Sequence, residues 1–387
     1  MERKKILIVN NNLKVGGIQK ALLNFLHVLS PDYDVDLLLF KNQGGLQDEV
    51  PSSVRIIEIK SAYKYLGISQ GECKGFFQKL KRGIYAGMTK MFGFRFSAFW
   101  IGLTQNKLKE TYDVAISYMH CAGKKAFYGG SAEFVLKHTK AKQKICFIHN
   151  DYLSSGTRCA YNDKIYQKFD KIACVSDSVK ANFLKALPTL SDKAYMVRNV
   201  VLQDEIIAKA NENPFEYDQS VINILTVARL GKEKGINRMI SALGKSGKKN
   251  FHYYVVGGGP LFEQLQSQIV ELGLLDRVTL LGEDTNPYRY MKNADLLAVP
   301  SYHEAAPVVF QEAMIIGLPV FTTKTSSAEE MVGNFGFVCE NEDDEIEKTI
   351  KNLLDDPKQI VEKNKIIGLE YSFDKNKAKK EFEELIK

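Results

Sequence analysis

Five side chains of this 387-residue chain have the type and placement to do chemistry: His149, Arg229, Lys234, Glu304 and Glu312. Arg229 and Lys234 lie in Val227-Ala228-Arg229-Leu230-Gly231-Lys232-Glu233-Lys234-Gly235, between an apolar run and a helical pattern. Two fixed cations on such a loop neutralise a diphosphate and stabilise the charge that grows as a phosphate leaves. A basic loop is often only a solvated surface; its position after the first strand of an α/β repeat favours the ligand reading. Glu304 and Glu312 belong to Pro300-Ser301-Tyr302-His303-Glu304-Ala305-Ala306-Pro307-Val308-Val309-Phe310-Gln311-Glu312. A strand ends at Pro300 and a helix starts near Pro307 or Val308, where proline suits the first turn. The N–H groups at that helix start hold an anionic or hydroxyl-rich ligand. Glu312 lies more than a turn deeper, so the two carboxylates touch different parts of one long ligand. Spacing alone leaves a second reading open, with Glu304 a helix-start acid and Glu312 a solvated face residue.

His149 ends the apolar run Cys146-Phe147-Ile148 and should project toward a ligand, although a lone histidine is more often structural. Glycines follow two strands, at Val15-Gly16-Gly17-Ile18 and at Val255-Val256-Gly257-Gly258-Gly259-Pro260. Each lets backbone approach a phosphate, and each is also explained by a sharp turn. Neither completes Gly-x-Gly-x-x-Gly, which counts against a nicotinamide oxidoreductase. The histidines have no metal-ligand spacing, and neither Asp34-Val35-Asp36 nor Asp343-Asp344 is placed to hold a divalent ion. No metal site is expected.

The elements that must position these groups follow from periodicity. Short apolar runs at 5–10, 35–40, 54–59, 114–117, 144–149 and 171–175 alternate with helical stretches such as Ile18–Leu29. The pattern restarts after a polar stretch, Asn199–Ser220, read as a linker because Asn211, Glu212, Asn213 and Pro214 break it. Strands at 223–227, 252–256, 278–281, 296–299 and 319–322 then alternate with helices at 235–243, 261–272, 288–293 and 308–316. This is the grammar of two doubly wound parallel sheets, α/β in class, with a cleft expected between their carboxyl ends. The expected domains are 1–200, 201–372 and an amphipathic closing helix over 373–387.

Composition removes several classes. Apolar residues at 45% and charged residues at 26% exclude a disordered or collagenous chain. No apolar run approaches the ~20 residues of a spanning helix. The start, Met-Glu-Arg-Lys-Lys-Ile-Leu-Ile-Val-Asn, is too short in apolar residues for a signal peptide, so a cytoplasmic protein is expected. The six scattered cysteines form no Cys-x-x-Cys pair and should be free, mostly buried thiols. The net charge of +7 is unevenly divided: residues 1–200 hold 31 Lys and Arg against 16 Asp and Glu. The first half therefore suits an anionic partner. Residues 60–107 concentrate the effect, with nine Lys and Arg, one acid (Glu72) and ten aromatic residues. Cations interleaved with rings suit an anionic membrane surface; single-stranded nucleic acid or a plain helical pair with core aromatics are the other readings. Glycines at 71, 75, 83, 87 and 93 weaken any single long helix here.

Taken together, the chain resembles the retaining glycosyltransferases of family 4, which have the GT-B architecture. The resemblance spans nearly the whole chain and is most specific between Ile222 and Cys339. There Ala228-Arg229-Leu230, Lys234-Gly235, Val255-Val256-Gly257-Gly258-Gly259-Pro260, Val278-Thr279-Leu280-Leu281-Gly282, Ala294-Asp295-Leu296, the Glu304/Glu312 pair and Gly317-Leu318-Pro319-Val320 follow the family's order. The resemblance implies that Arg229 and Lys234 bind the diphosphate of a nucleotide-sugar. Glu312 would accept hydrogen bonds from the ribose hydroxyls. Glu304, with the backbone of Ala306, Pro307, Val308 and Val309, would contact the transferred sugar. Gly16 and Gly17 match the first-domain glycine loop over the phosphates, and His149 the histidine that contacts the donor sugar. Ala305-Ala306 replaces the glycine and bulky residue of many members, which leaves the sugar open.

The activity so implied is transfer, with retention, from a nucleotide-sugar (a UDP-sugar is expected) to a lipid-linked or surface polysaccharide acceptor. No cofactor, no metal and no nucleic acid are expected. The place of action is expected to be the cytoplasm, at the inner face of the cell membrane. The alternatives are a UDP-sugar epimerase of the same fold and a non-catalytic subunit of a polysaccharide assembly complex.

Overall fold

A computed structural model of the protein describes residues 3–387. Two compact units are present: Met1–Val200 with Asn376–Lys387, and Val201–Lys375. The first carries strands β1 (Lys5–Asn10), β2 (Asp34–Leu39), β3 (Arg55–Glu58), β4 (Thr111–Ser117), β5 (Lys140–Ile148), β6 (Lys171–Cys174) and β7 (Ala194–Met196). Their order is β3-β2-β1-β4-β5-β6-β7 and every pairing is parallel. β1 is buried from Ile6 to Asn10, as befits a strand with helices on both faces. Order reverses between β1 and β4, so the crevice at their carboxyl ends is the ligand position of such a sheet.

The helices of this unit are α1 (Gly17–Leu29), α2 (Gly75–Phe92), α3 (Phe94–Gly102), α4 (Ser131–His138), α5 (Ala160–Tyr166) and α6 (Asp177–Ala186). α1 buries Leu22, Leu23, Leu26 and Leu29, the face its sequence spacing predicts. α2 runs 18 residues straight through Gly83 and Gly87. The break comes only at Gly93, whose φ of +86° lets the chain turn into α3. A helix-interior glycine costs about 1 kcal/mol, which weakens a helix without ending it.

The second unit carries β8 (Ile222–Val227), β9 (Phe251–Val256), β10 (Val278–Gly282), β11 (Leu296–Val299), β12 (Val320–Thr323) and β13 (Gly336–Cys339). They are ordered β10-β9-β8-β11-β12-β13, again all parallel, with the reversal between β8 and β11. Its helices are α7 (Gln203–Ala210), α8 (Ile236–Lys245), α9 (Phe262–Glu271), α10 (Tyr288–Met291), α11 (Val308–Ile316), α12 (Ala328–Val332), α13 (Asp343–Asp355) and α14 (Lys358–Glu370). Ile224, Met239, Ile240, Val255, Leu296 and Phe321 are central to its core.

α7 corrects the linker expected over Asn199–Ser220. Ile206 and Ala210, four apart on one face, are buried, and the helix packs on α10 and α11. The breakers begin only at Asn211, where α7 ends. The last helix, α15 (Lys377–Leu385), packs on the first unit. Phe382 meets the Phe25 ring edge-on at 4.9 Å, and Glu381 pairs with Arg198 at 2.6 Å. All six cysteines are free, five of them buried. Among the described residues no helix is long and apolar enough to cross a membrane.

Candidate functional site

In the second unit, two loops leave the strands that flank the reversal point: residues 228–235 after β8, and residues 300–307 after β11. Buried hydroxyls hold the ends of those strands. Thr226 Oγ1 donates to the Ala298 carbonyl at 2.6 Å, and Thr322 Oγ1 to the Val299 carbonyl at 3.0 Å. Thr323 Oγ1 then donates to the Ser301 carbonyl at 2.5 Å, fixing the first residue of the second loop.

The first loop is seated by glycine. At Gly257, where φ is +142°, an added Cβ would lie 2.0 Å from the Ala228 carbonyl oxygen. Leu230 donates its N–H to the Gly258 carbonyl at 2.8 Å, and Leu261 returns a bond to the Leu230 carbonyl at 3.2 Å. The Gly257-Gly258-Gly259 run is thus a seat for the Arg229 loop, a role its sequence did not reveal. Gly235, with φ +63°, is the second contact: a Cβ there would come within 2.1 Å of the Pro300 carbonyl oxygen. The Tyr302 N–H donates to the Glu233 carbonyl at 2.9 Å, so the two loops are stitched together.

That stitching brings Lys234 and Glu304 into contact, 70 residues apart in sequence, with Lys234 Nζ 2.6 Å from Glu304 Oε1. Ser301 Oγ donates to the same oxygen at 2.8 Å. The Glu304 side chain keeps only 11% of its exposure and Lys234 27%, so water screens this pair far less than a surface pair. Arg229 is arranged differently. It pairs with Glu233 and its side chain remains 62% exposed. Burial alone would raise the Glu233 carboxyl, but its backbone hydrogen bond and the Arg229 and Lys234 cations hold it below the usual range. An exposed pair of this kind contributes about 0–1 kcal/mol, so little free energy opposes the exchange of Glu233 for another anion at Arg229.

Ala306 and Pro307 lead into α11, which starts at Val308 and Val309 with Pro307 as its N-cap. Glu312 lies on the buried side of that helix and accepts from the Tyr288 hydroxyl at 2.8 Å. It is therefore no solvated face residue. Tyr288, Ser301 and Glu233 are partners that sequence reasoning missed. Tyr288 reaches Glu312 across 24 residues, whereas Ser301 and Glu233 lie three and four residues from their partners, a spacing too common to mark them.

In the first unit the expected residues sit at carboxyl ends of strands. Gly16 is the N-cap of α1 and Gly17 its first residue, where an added Cβ would meet nothing within 4 Å. His149 follows β5 and lies against the rings of Tyr118 (4.7 Å) and Phe147 (5.8 Å). Its Nε2 is buried with no hydrogen-bond partner, as is Nδ1 of His120, which follows β4. Burial lowers His149 to about 3, helped by His120 and opposed by a hydrogen bond to the Tyr118 backbone. Burial likewise lowers His120 to about 4. Both rings are neutral near pH 7. His120 was not singled out from sequence; its proximity to His149 arises from the β4–β5 pairing.

α2 and α3 carry the basic, aromatic stretch. Phe76, Phe77, Met91, Phe92, Phe99 and Trp100 are exposed, at 73, 75, 73, 60, 54 and 45%. Phe94 alone of the phenylalanines in the stretch is buried, so most of these aromatics are not core. Lys74, Lys79, Lys81 and Lys90 are exposed on α2 and just before it. Arg82 is not a free surface cation: it donates to the Ile68 carbonyl at 2.9 Å and to Gln70 at 3.1 Å.

Residues 209–368 match the family described as glycosyl transferases group 1. Over 385 residues, 97% of each chain, the sequence is 24% identical to N-acetylgalactosamine-N,N'-diacetylbacillosaminyl-diphospho-undecaprenol 4-alpha-N-acetylgalactosaminyltransferase of Campylobacter jejuni. A shorter match, 35% identical over 121 residues, covers 29% of this chain and 30% of the amylovoran biosynthesis glycosyltransferase AmsK of Erwinia amylovora. Among solved structures, Anabaena HepE in complex with UDP and glucose superposes with a TM-score of 0.67 at 20% identity, covering 99% of both chains. WaaG, a glycosyltransferase involved in lipopolysaccharide biosynthesis, gives 0.60 at 17% identity, covering 97% of this chain and 98% of that one. At these identities the structural likeness establishes the fold.

Proposed function

We propose that this chain, a glycosyltransferase of group 1 with the GT-B fold, transfers a sugar from a UDP-sugar to a lipid-linked or polysaccharide acceptor with retention at the anomeric carbon. The observation that carries the donor reading is the Lys234–Glu304 contact at 2.6 Å, at the reversal point of the second sheet. Arg229 and Lys234 bind the diphosphate, and Glu312, oriented by Tyr288, accepts from the ribose hydroxyls. Glu304 bridges the two functions. Its carboxylate fixes Lys234 and, beside the backbone of Ala306 to Val309, accepts from a sugar hydroxyl. In the first unit the roles assigned are backbone approach at Gly16 and Gly17, and a neutral acceptor nitrogen for a sugar hydroxyl at His149.

In the reaction the bond from the anomeric carbon to the diphosphate oxygen breaks. The bond to the acceptor oxygen forms on the same face, and the acceptor proton passes to the departing phosphate oxygen. The barrier is governed by charge that accumulates on the diphosphate. Cations already fixed there stabilise it without reorganising, and their effect grows where water is excluded. In this reading they do so in place of a divalent ion.

The acceptor class is supported by the undecaprenol-linked substrate in the name of the Campylobacter relative. The exposed rings and lysines of α2 and α3 suit an anionic membrane surface, where rings sit at the headgroup boundary and each lysine adds about 1 kcal/mol. The test is turnover with UDP-sugars and an undecaprenyl-diphosphate-linked acceptor, with product stereochemistry read by NMR. A product of retained configuration supports the reading; an inverted one, or epimerised UDP-sugar formed without acceptor, overturns it.

A further inference from the structure

Behind the two loops lies a buried cation that neither the sequence motifs nor the donor contacts include. Arg238 is the third residue of α8, and its side chain keeps 2% of its exposure. Its guanidinium reaches outward in three directions. Nε donates to Asp343 Oδ1 at 2.5 Å and Nη1 to Asn341 Oδ1 at 2.6 Å, while Nη1 also lies 3.5 Å from the Pro300 carbonyl oxygen. The face of the group lies 4.3 Å from the Tyr302 ring centroid. Asn341 in turn donates to the Tyr302 carbonyl at 3.0 Å.

From this we infer that Arg238 is a positioning residue for diphosphate binding: it holds the Pro300–Glu304 loop against the Gly231–Gly235 loop so that Lys234 and Glu304 meet. The inference rests on the donor reading given above. Pro300 and Tyr302 bracket Ser301, whose hydroxyl and the Lys234 ammonium share Glu304 Oε1. Arginine suits the task because one planar group serves a carboxylate, an amide and a carbonyl while stacking on a ring; an ammonium addresses one direction at a time and cannot stack as a plane. Asp343 and Asn341 come from the start of α13 and the turn before it, so the brace also ties the loops to the sheet edge at β13.

The experiment is calorimetric titration of the full chain with UDP, and NMR titration with uridine, for the parent, Arg238→Met and Tyr302→Leu. Uridine lacks the diphosphate, so it reports the ribose side alone. Arg238→Met should weaken UDP about tenfold, the size of one charge-assisted contact, and leave uridine within about twofold. Tyr302→Leu, at a half-exposed position, should weaken UDP by about threefold with the same insensitivity to uridine. UDP binding unchanged in Tyr302→Leu, or UDP and uridine weakened equally in either variant, overturns the inference, because a general loosening of the unit affects both ligands alike. If Arg238→Met does not fold, Tyr302→Leu decides alone. Lys234→Ala separates this failure from that of the donor reading: UDP affinity unaltered by that change refutes the donor reading itself.

Discussion

The two units share a topology and differ in how they treat polar groups at the carboxyl ends of their strands. In the second, charges meet charges: Lys234 with Glu304, Arg229 with Glu233, Arg238 with Asp343. In the first, Lys41 pairs with Glu58 at the ends of β2 and β3, but the histidines that follow β4 and β5 are neutral and closed in. His149 and His120 are held uncharged by burial, and each carries a ring nitrogen with no partner. A preorganised set of ion pairs is suited to exchanging one anion for another; a neutral, desolvated pair of rings is suited to hydroxyl groups. Under the proposed function one scaffold would support two kinds of recognition, and the division predicts which perturbations act on which unit.

The largest effect should follow removal of the cations. Lys234→Ala and Arg229→Ala are each expected to lower turnover by about 10²-fold or more, as when one transition-state donor is deleted. The pair nevertheless separates by stability. Arg229→Ala should leave the melting temperature near the parent's, because its exposed ion pair contributes about 0–1 kcal/mol. Steady-state rates and calorimetry on both variants measure this. Normal turnover in both would remove the charged half of the comparison.

Next comes Gly235→Ala. Its Cβ would meet the Pro300 carbonyl at 2.1 Å in a backbone conformation with φ +63°. A loss of about 1–3 kcal/mol is expected, confined to the second unit. Scanning calorimetry should show that unit's transition shifted and the first unit's unchanged. An unaltered transition would mean that the two loops are not tightly apposed.

The neutral histidines predict acid sensitivity in the first unit. Unfolded histidine titrates near 6.5, whereas folded His120 titrates at about 4 and His149 at about 3. With folded values depressed, the unfolded chain binds more protons below pH 6.5. The stabilisation is complete above 6.5 and is lost as pH falls through the interval toward 4 and then 3. His138, also lowered to about 4, adds a third group. Replacing His120 and His149 together by Gln should flatten the slope of stability against pH in this window. A slope equal to the parent's would show that the two rings are solvated. The smallest effect concerns membranes. Lys79→Glu with Lys81→Glu should reduce partition onto anionic vesicles by about 1 kcal/mol or more per site at low salt. Vesicle co-sedimentation checks it, and undiminished partition contradicts a role for α2.

Much of the fold is legible in residue order because its elements are long in period and short in loop. The runs at 5–10, 296–299 and 308–316 fall on β1, β11 and α11 to the residue. β7, of three residues, is too short to show a pattern, and β13, which opens on a glycine and buries only its two end residues, lacks the continuous buried apolar run of the equally short β11. α7 was hidden by polar composition, since a helix with two buried residues reads as linker. Of the site, Lys234, Glu304 and Glu312 were identifiable by their place in a motif, but not the contacts that orient them. Glu304 finds its lysine 70 residues away and Arg238 its aspartate 105 away. Nothing local encodes such distances. Arg238 shares α8 with the buried Ile236, Met239 and Ile240, and a cation inside that apolar set is the one sequence signal that could have pointed to it.

Under the proposed function two protein cations, anchored in the second unit, carry the diphosphate without a divalent ion. Calorimetric titration with UDP in the presence of EDTA addresses it directly. EDTA should leave the affinity unchanged, and Lys234→Ala should weaken it by tenfold or more, about 1.4 kcal/mol. Binding that vanishes with EDTA, or that survives Lys234→Ala intact, would contradict this role of the cations.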